Sequence, residues 1–226
     1  MYYKISESWQ PEIVGIKDGS AQIKIDEKSF KEKEYFRLFS DFFSWQKYWQ
    51  KPNAIPDFNV KVDKAFLIKP AKLTDFMSYS MPLPQVPFVV SKKVRGIFEK
   101  LKLKGIYFYP VKVFSDNKEL NVEYFLLHTL IIDYNAIVFN KSVLAELSDP
   151  SIVVRVNSVE ELIKAYKDNK LRQFTKLTIT RECLFNAEFI KTRMSELFIS
   201  ELMKDIFVYE NVTGINIVES NILKLE

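Results

Sequence analysis

The sequence predicts an α+β fold, with helices packed on a mixed, largely antiparallel sheet, and three observations predict it. Short runs of alternating apolar residues recur along the chain, stretches of helical periodicity interrupt them, and one strand-helix-strand pattern occurs twice. The pattern reads VVSKKVRGIFEKLKLKGIYF from Val89 to Phe108 and FISELMKDIFVYENVTGINI from Phe198 to Ile217. Aligned without a gap, the copies share Ser91/Ser200, Ile97/Ile206, Phe98/Phe207, Gly105/Gly214 and Ile106/Ile215. Two similar units are therefore expected, at about residues 88–114 and 197–218, packed on one mixed sheet.

Near the start, EIVGIKDGSAQIKID reads as two strands joined by a turn at Asp18-Gly19-Ser20, where glycine supplies a positive φ. From Glu34 onward, Tyr35, Leu38, Phe39, Phe42, Trp45 and Trp49 fall at helical spacing, and Pro52 ends the run. Phe36 and Phe43 lie off that stripe, so this one helix is apolar on more than one side. A polar link, KPNAIPDFN, leads to the strand VKVDKAFLI and then to an extended connector, SMPLPQVP. We read its Pro84/Pro87 pair as loop stiffening rather than as a P-x-x-P ligand.

In the first copy of the repeat, Ser91 is placed to cap a helix whose face is Val94, Ile97, Phe98 and Leu101. Gly105 closes that helix in the left-handed conformation, and Gly96 inside it suggests close packing against a neighbour. IYFYPVKVF returns as a strand in which Pro110 implies an edge or a bulge. VEYFLLHTLII follows as a central strand, apolar on both faces, and AIVFN and SIVVRVN add short extended pieces. Ser158 and Glu161 have capping-box spacing ahead of a helix along Leu162, Ile163 and Tyr166, and QFTKLTIT is another strand.

In the second copy, Ser200 caps a helix with Met203, Ile206 and Phe207 inward. Glu210 stands opposite Leu101, which predicts a helix about one turn shorter than the first. A competing reading makes residues 186–207 one long helix with Ser200 inside it.

With 226 residues, 47% of them hydrophobic, the chain can bury a substantial core. We read residues 1–226 as a single domain; the alternative sets residues 1–69 apart as a variable N-terminal subdomain. A net charge of +4 spread over 27% charged residues is weak support for nucleic-acid binding. The single cysteine, Cys183, precludes an internal disulfide, the first residues lack the pattern of a secretory signal, and a cytoplasmic location is expected. The longest apolar run, Tyr124 to Ile132, is about half the ~20 residues of a spanning helix, so no membrane segment is expected.

Chemistry is sparsely signalled. One histidine and one cysteine cannot make the usual structural zinc site, no acidic run has calcium-loop spacing, and no cofactor motif is present. His128 lies inside an apolar run and reads as a buried, hydrogen-bonded residue rather than a base for Cys183. Asp75, Asp133 and Glu182 are the carboxylates with apolar neighbours. We assign them to a turn cap, a strand end and the surface, with an enzyme using dispersed carboxylates as the alternative. The basic clusters KSFKEKEYFR and KKVRGIFEKLKLK read as solvated faces rather than a nucleic-acid patch. The aromatic helix, with Phe43, Trp45, Tyr48 and Trp49, holds the residue types best suited to contact a partner, which are equally suited to a core.

The ordered series AKLTDFMS, PFVVSKKVRGIFEKLKLKGIYFYPVKV, VEYFLLHTL and NVTGINIVE resembles the immunity proteins of bacterial polymorphic toxin systems. The types numbered eleven and forty-three, once grouped as domains of unknown function, are the most similar. The resemblance spans about Ala71 to Glu219, making residues 70–226 the immunity-like region, and it loosens after Asn135. In that family the positions of Asp75-Phe76, Ser91, Tyr109-Pro110-Val111 and Thr213-Gly214-Ile215 are scaffold, and Ser200 repeats the role of Ser91. The resemblance implies a cytoplasmic protein that binds a cognate toxin and occludes it, with no chemistry or cofactor of its own.

Overall fold

The computed structural model describes residues 1–17, 20–81, 83–165, 172–192 and 196–226. In chain order it begins with β1 (Tyr2–Glu7), a single helical turn α1 (Pro11–Val14) and β2 (Ile23–Lys24). Two aromatic helices, α2 (Lys33–Phe42) and α3 (Trp45–Gln50), precede β3 (Val62–Leu67) and β4 (Phe76–Met77). The first copy of the repeat is β5 (Phe88–Ser91), α4 (Lys92–Lys100) and β6 (Ile106–Ser115), followed by β7 (Lys118–Glu119) and β8 (Tyr124–Thr129). Next come β9 (Val143–Glu146), β10 (Val153–Val154), α5 (Val159–Ala165), β11 (Arg172–Ile179) and β12 (Phe189–Lys191). The second copy is β13 (Leu197–Ser200), α6 (Glu201–Tyr209) and β14 (Ile215–Ser220), and β15 (Leu223–Leu225) ends the order. The fold is α+β, with mixed, largely antiparallel sheets.

Among the described residues the strands form three sheets rather than one. Their orders are β2-β3-β6-β8-β5-β4 with β7 beside β6, β12-β13-β1-β14, and β10-β9-β11-β15. The two repeat units occupy different sheets because each needs a central strand of its own. In the first, β8 runs antiparallel between β5 and β6, with Tyr124 opposite Ser91 and Val111. In the second, β1 takes that place, with Tyr2 opposite Ser200 and Ser220. The strand order β4-β5-β8-β6 is thus reproduced as β12-β13-β1-β14, register included.

The match extends to individual bonds. Lys92 N–H donates to the Glu123 carbonyl (3.0 Å) and Glu201 N–H to that of Met1 (3.2 Å), while Leu130 and Ser8 donate to Gly105 (2.8 Å) and Gly214 (3.0 Å). Both helices are nine residues long and end in the same Schellman arrangement. Leu103 and Val212 donate five residues back, to Phe98 (3.3 Å) and Phe207 (2.9 Å), while Lys102 and Asn211, both with positive φ, donate three back. The expected shortening of α6 is therefore corrected, because Glu210 is the cap residue, where an apolar side chain is not needed. Lys102, not Gly105, supplies the left-handed turn. Gly105 (φ +73) instead stands just before β6, where Phe185 presses against it and leaves no room for a Cβ.

The modules pack face to face. Phe98 meets Phe207 at 6.2 Å between ring centroids, and the crossed pairs Phe76–Phe207 and Phe98–Phe189 are 5.6 and 5.1 Å apart. Ile5, Phe88, Val94, Leu127, Leu197, Ile199 and Met203 are among the residues buried around these rings. A second core lies between the seven-stranded sheet and α2, and a third under β9, β11 and α5.

Several local expectations change. Residues 11–14 are helical because Pro11 opens the turn and Gly15 (φ 80) closes it, so EIVG does not pair with QIKID, and β2 pairs with β3 instead. Asp18 and Gly19 of the expected turn, and Tyr166 of the expected α5 face, lie outside the described residues. The aromatic helix is two helices, because Ser44 caps a new start by accepting from Lys47 N–H at 3.1 Å. AIVFN is extended only at its middle, where Ile137 bridges Ile179 antiparallel, and its two ends belong to 3₁₀ turns, Tyr134–Ala136 and Phe139–Lys141. Ser158 accepts from Glu161 N–H (3.2 Å) as expected, but Glu161 reaches back to Asn157, and Ile163 points outward. Gly96 has nothing within 4 Å of where a Cβ would stand, so no close packing requires it. Pro110 pairs with Phe125 just before Val111, the first β6 residue joined to β3, where its missing N–H costs no ladder bond on that side. The 186–207 helix is replaced by β12, β13 and α6, with Ser200 at the α6 N-cap.

Candidate functional site

Asp75 joins the modules. It precedes β4, and its carboxylate accepts from Ser91 Oγ (2.7 Å), Thr213 N–H (3.0 Å) and Thr213 Oγ1 (3.1 Å), with Lys93 Nζ at 2.7 Å. Burial alone would raise its pKa, but the hydrogen bonds from Lys93, Ser91 and Thr213 outweigh that and hold it below the usual carboxylate value. Phe76 N–H donates to Thr213 O (3.0 Å), and Gly214 (φ +88) lies so near Phe76 O and Thr74 that any Cβ would collide. The other module answers with Ser200 Oγ donating to the Glu188 carboxylate and Asn186 Nδ2 donating to Lys104 O (2.8 Å). Asp75, Phe76, Ser91 and Gly214 are thus brought together as a joint between modules, Ser200 holds the equivalent place in the second module beside Glu188, and Pro110 lies apart on β6.

The other carboxylates do not converge with Asp75. Asp133 caps the 3₁₀ turn at Tyr134, whose N–H donates to it at 2.6 Å, and Glu182 is exposed on another 3₁₀ turn. Cys183 is exposed, whereas His128 is fully buried in β8 with Nδ1 3.1 Å from Tyr109 Oη. Burial, and then the charge of Lys191, push the His128 pKa down to about 3, so its ring is neutral near pH 7. Among the described residues no three His, Cys, Asp or Glu side chains group as metal ligands, and no helix is long and apolar enough to cross a membrane. In the basic cluster of α4, Lys92, Lys93 and Arg95 are paired with Glu123, Asp75 and Glu99.

The helix break at Ser44 divides the aromatic residues. Phe39, Phe43 and Tyr48 are fully buried, which removes Phe43 and Tyr48 from the expected contact surface. A continuous helix would turn Tyr48 well away from the Phe39/Phe43 side, and restarting at Ser44 brings it back. Trp45 and Trp49, four residues apart on one face, stay 46% and 48% exposed. Tyr48 holds both by edge contacts, with centroids 5.7 and 5.6 Å away.

Trp45 also lines a cleft of about 630 Å³ between β1, the segment leading into β5, and the end of β12. Two of the residues there escaped the sequence reading. Lys191 is 2% exposed on β12, with Nζ 5.2 Å from the Tyr48 ring centroid and no hydrogen-bond partner among the described residues. Burial pushes its pKa down to about 7. Glu196 pairs with Lys4 at 3.1 Å. The available signal was strand alternation, which in FIK points Lys191 to the same side as Phe189.

These features define a two-module α+β protein with an inter-module carboxylate joint and an aromatic-rimmed cleft. No protein-family model matches the chain, and no curated protein matches it.

Proposed function

We propose that the protein is a cytoplasmic immunity-type protein that binds a cognate bacterial toxin and blocks it sterically. The observation that carries the contact surface is the pair Trp45 and Trp49, near half-exposed on one face of α3 while Tyr48 anchors the same helix in the core. Tryptophan held rigidly at a surface contributes large contact area at little entropic cost, which is why it dominates interface hot spots. The class comes from the sequence resemblance, and steric occlusion asks for no catalytic group.

The test is coexpression with the toxin encoded beside it. Wild-type protein is expected to restore growth and to co-elute with the toxin. The Trp45→Ala/Trp49→Ala variant, folded by circular dichroism, is expected to lose at least about tenfold in affinity, as hot-spot truncation does. Continued killing with no complex in the presence of wild-type protein would reject the reading.

A further inference from the structure

We propose that the cleft beside Trp45 binds a small amphipathic monocarboxylate, with Lys191 as the cation that receives the carboxylate. The inference stands apart from toxin binding. A buried ammonium without a hydrogen-bonding partner is costly, and proteins seldom keep one unless a ligand or a reaction uses it. Among the described residues Lys191 is such a group, and it lines the cleft rather than a closed core. Its stem has four rotatable bonds, so Nζ can swing from the face of Tyr48 into the cleft while the stem remains covered.

The duplication supplies an internal comparison. The backbone bond from Ile132 N–H to Lys191 O (2.8 Å) is matched by that from Ile23 N–H to Ser78 O (3.2 Å), so Lys191 stands where the first module has Ser78. Ser78 Oγ is engaged, accepting from Gln22 N–H at 3.1 Å. By strand register, Lys4 and Glu7 of β1 correspond to Leu126 and Thr129 of β8. A scaffold that folds with uncharged residues at these positions in one module does not need the charges in the other.

The ligand class follows from the lining. Among the described residues the lining holds two cations, Lys4 and Lys191, and two carboxylates, Glu7 and Glu196; Lys4 is paired with Glu196, which leaves Lys191 as the cation there without an ion-pair partner. One unpaired ammonium can meet one carboxylate, and the two acidic side chains of the lining disfavour a phosphate dianion. Trp45, Leu83, Val86, Phe88 and Leu197 offer apolar wall for a hydrocarbon or aromatic body, and the volume falls within the range of small-molecule sites.

The probe is 3-phenylpropionate, compared with its neutral amide, followed by tryptophan fluorescence and calorimetry on the full chain. The acid is expected to bind saturably and at least about tenfold more tightly than the amide, the increment of a charge-assisted hydrogen bond. Lys191→Met is expected to bind acid and amide alike. Binding of the acid to wild-type protein at pH 8, measured in buffers of different ionisation enthalpy, is expected to take up protons as Lys191 becomes charged. Absence of saturable binding, equal affinity for acid and amide, or unchanged acid preference in Lys191→Met would each overturn the proposal. Should that variant fail to fold, the acid-to-amide ratio and proton uptake of the wild type decide it.

Discussion

Asp75 shows what a single side chain contributes to this architecture. Its carboxylate ties the start of β4 to the cap of α4 and to the turn before β14, so one group closes contacts 16 and 138 residues away in sequence. Because the folded state holds its pKa below the ordinary value, the unfolded chain takes up its proton first as pH falls. The stabilisation is therefore present above the unfolded pKa, near 4, and is lost as pH falls through the folded value. Asp75→Asn is expected to cost about 2 kcal/mol at pH 7, the scale of hydrogen bonds to a charged group. Urea denaturation should show that difference shrinking below pH 4, and an unchanged difference in acid would contradict the assignment.

At the level of elements, α4 and α6 were legible because their signals are local. Ser91 and Ser200 accept from the N–H three residues on, at 3.4 and 3.2 Å, and Val94, Phe98, Met203 and Phe207 are all buried. The break at Ser44 was hidden because Tyr35 through Trp49 fits one helical period almost as well as two shorter ones, and only the cores decide between them. The central position of β1 was equally hidden, since strand pairing over nearly the whole chain leaves no local mark. Of the candidate site, Trp45 and Trp49 could be read, but Lys191 could not while its segment was consistent with helix. Glycine substitution separates the two kinds of information. Gly96→Ala, in open helix, is expected to stabilise by about 0.5–1 kcal/mol. Gly214→Ala, at φ +88 against Phe76 O, should destabilise by roughly 3 kcal/mol or more, since both strain and collision act. Paired chemical denaturation curves would test the opposite signs.

Across the whole molecule, the two modules repeat one mechanical plan, and Lys191 lies where the plan is broken. Its strand belongs to the second module, its ammonium faces Tyr48 of α3, and its charge reaches His128 in the first module's central strand. The burial that lowers its pKa to about 7 also makes the folded state reject a proton that the unfolded chain holds up to about pH 10.4. Between those values the unfolded state binds more protons, so this group makes stability rise with pH. Below pH 7 both states are protonated and the penalty is constant. Lys191→Met retains apolar length and removes the charge, so it should be more stable than wild type at pH 7. That advantage should diminish steadily toward pH 9.5, before the buried tyrosines begin to titrate in the unfolded chain. Urea denaturation of both proteins at pH 6, 7, 8, 9 and 9.5 measures the difference directly. A gap that stays constant across pH 7 to 9.5 would mean that Lys191 is not the buried, proton-rejecting cation at the module junction.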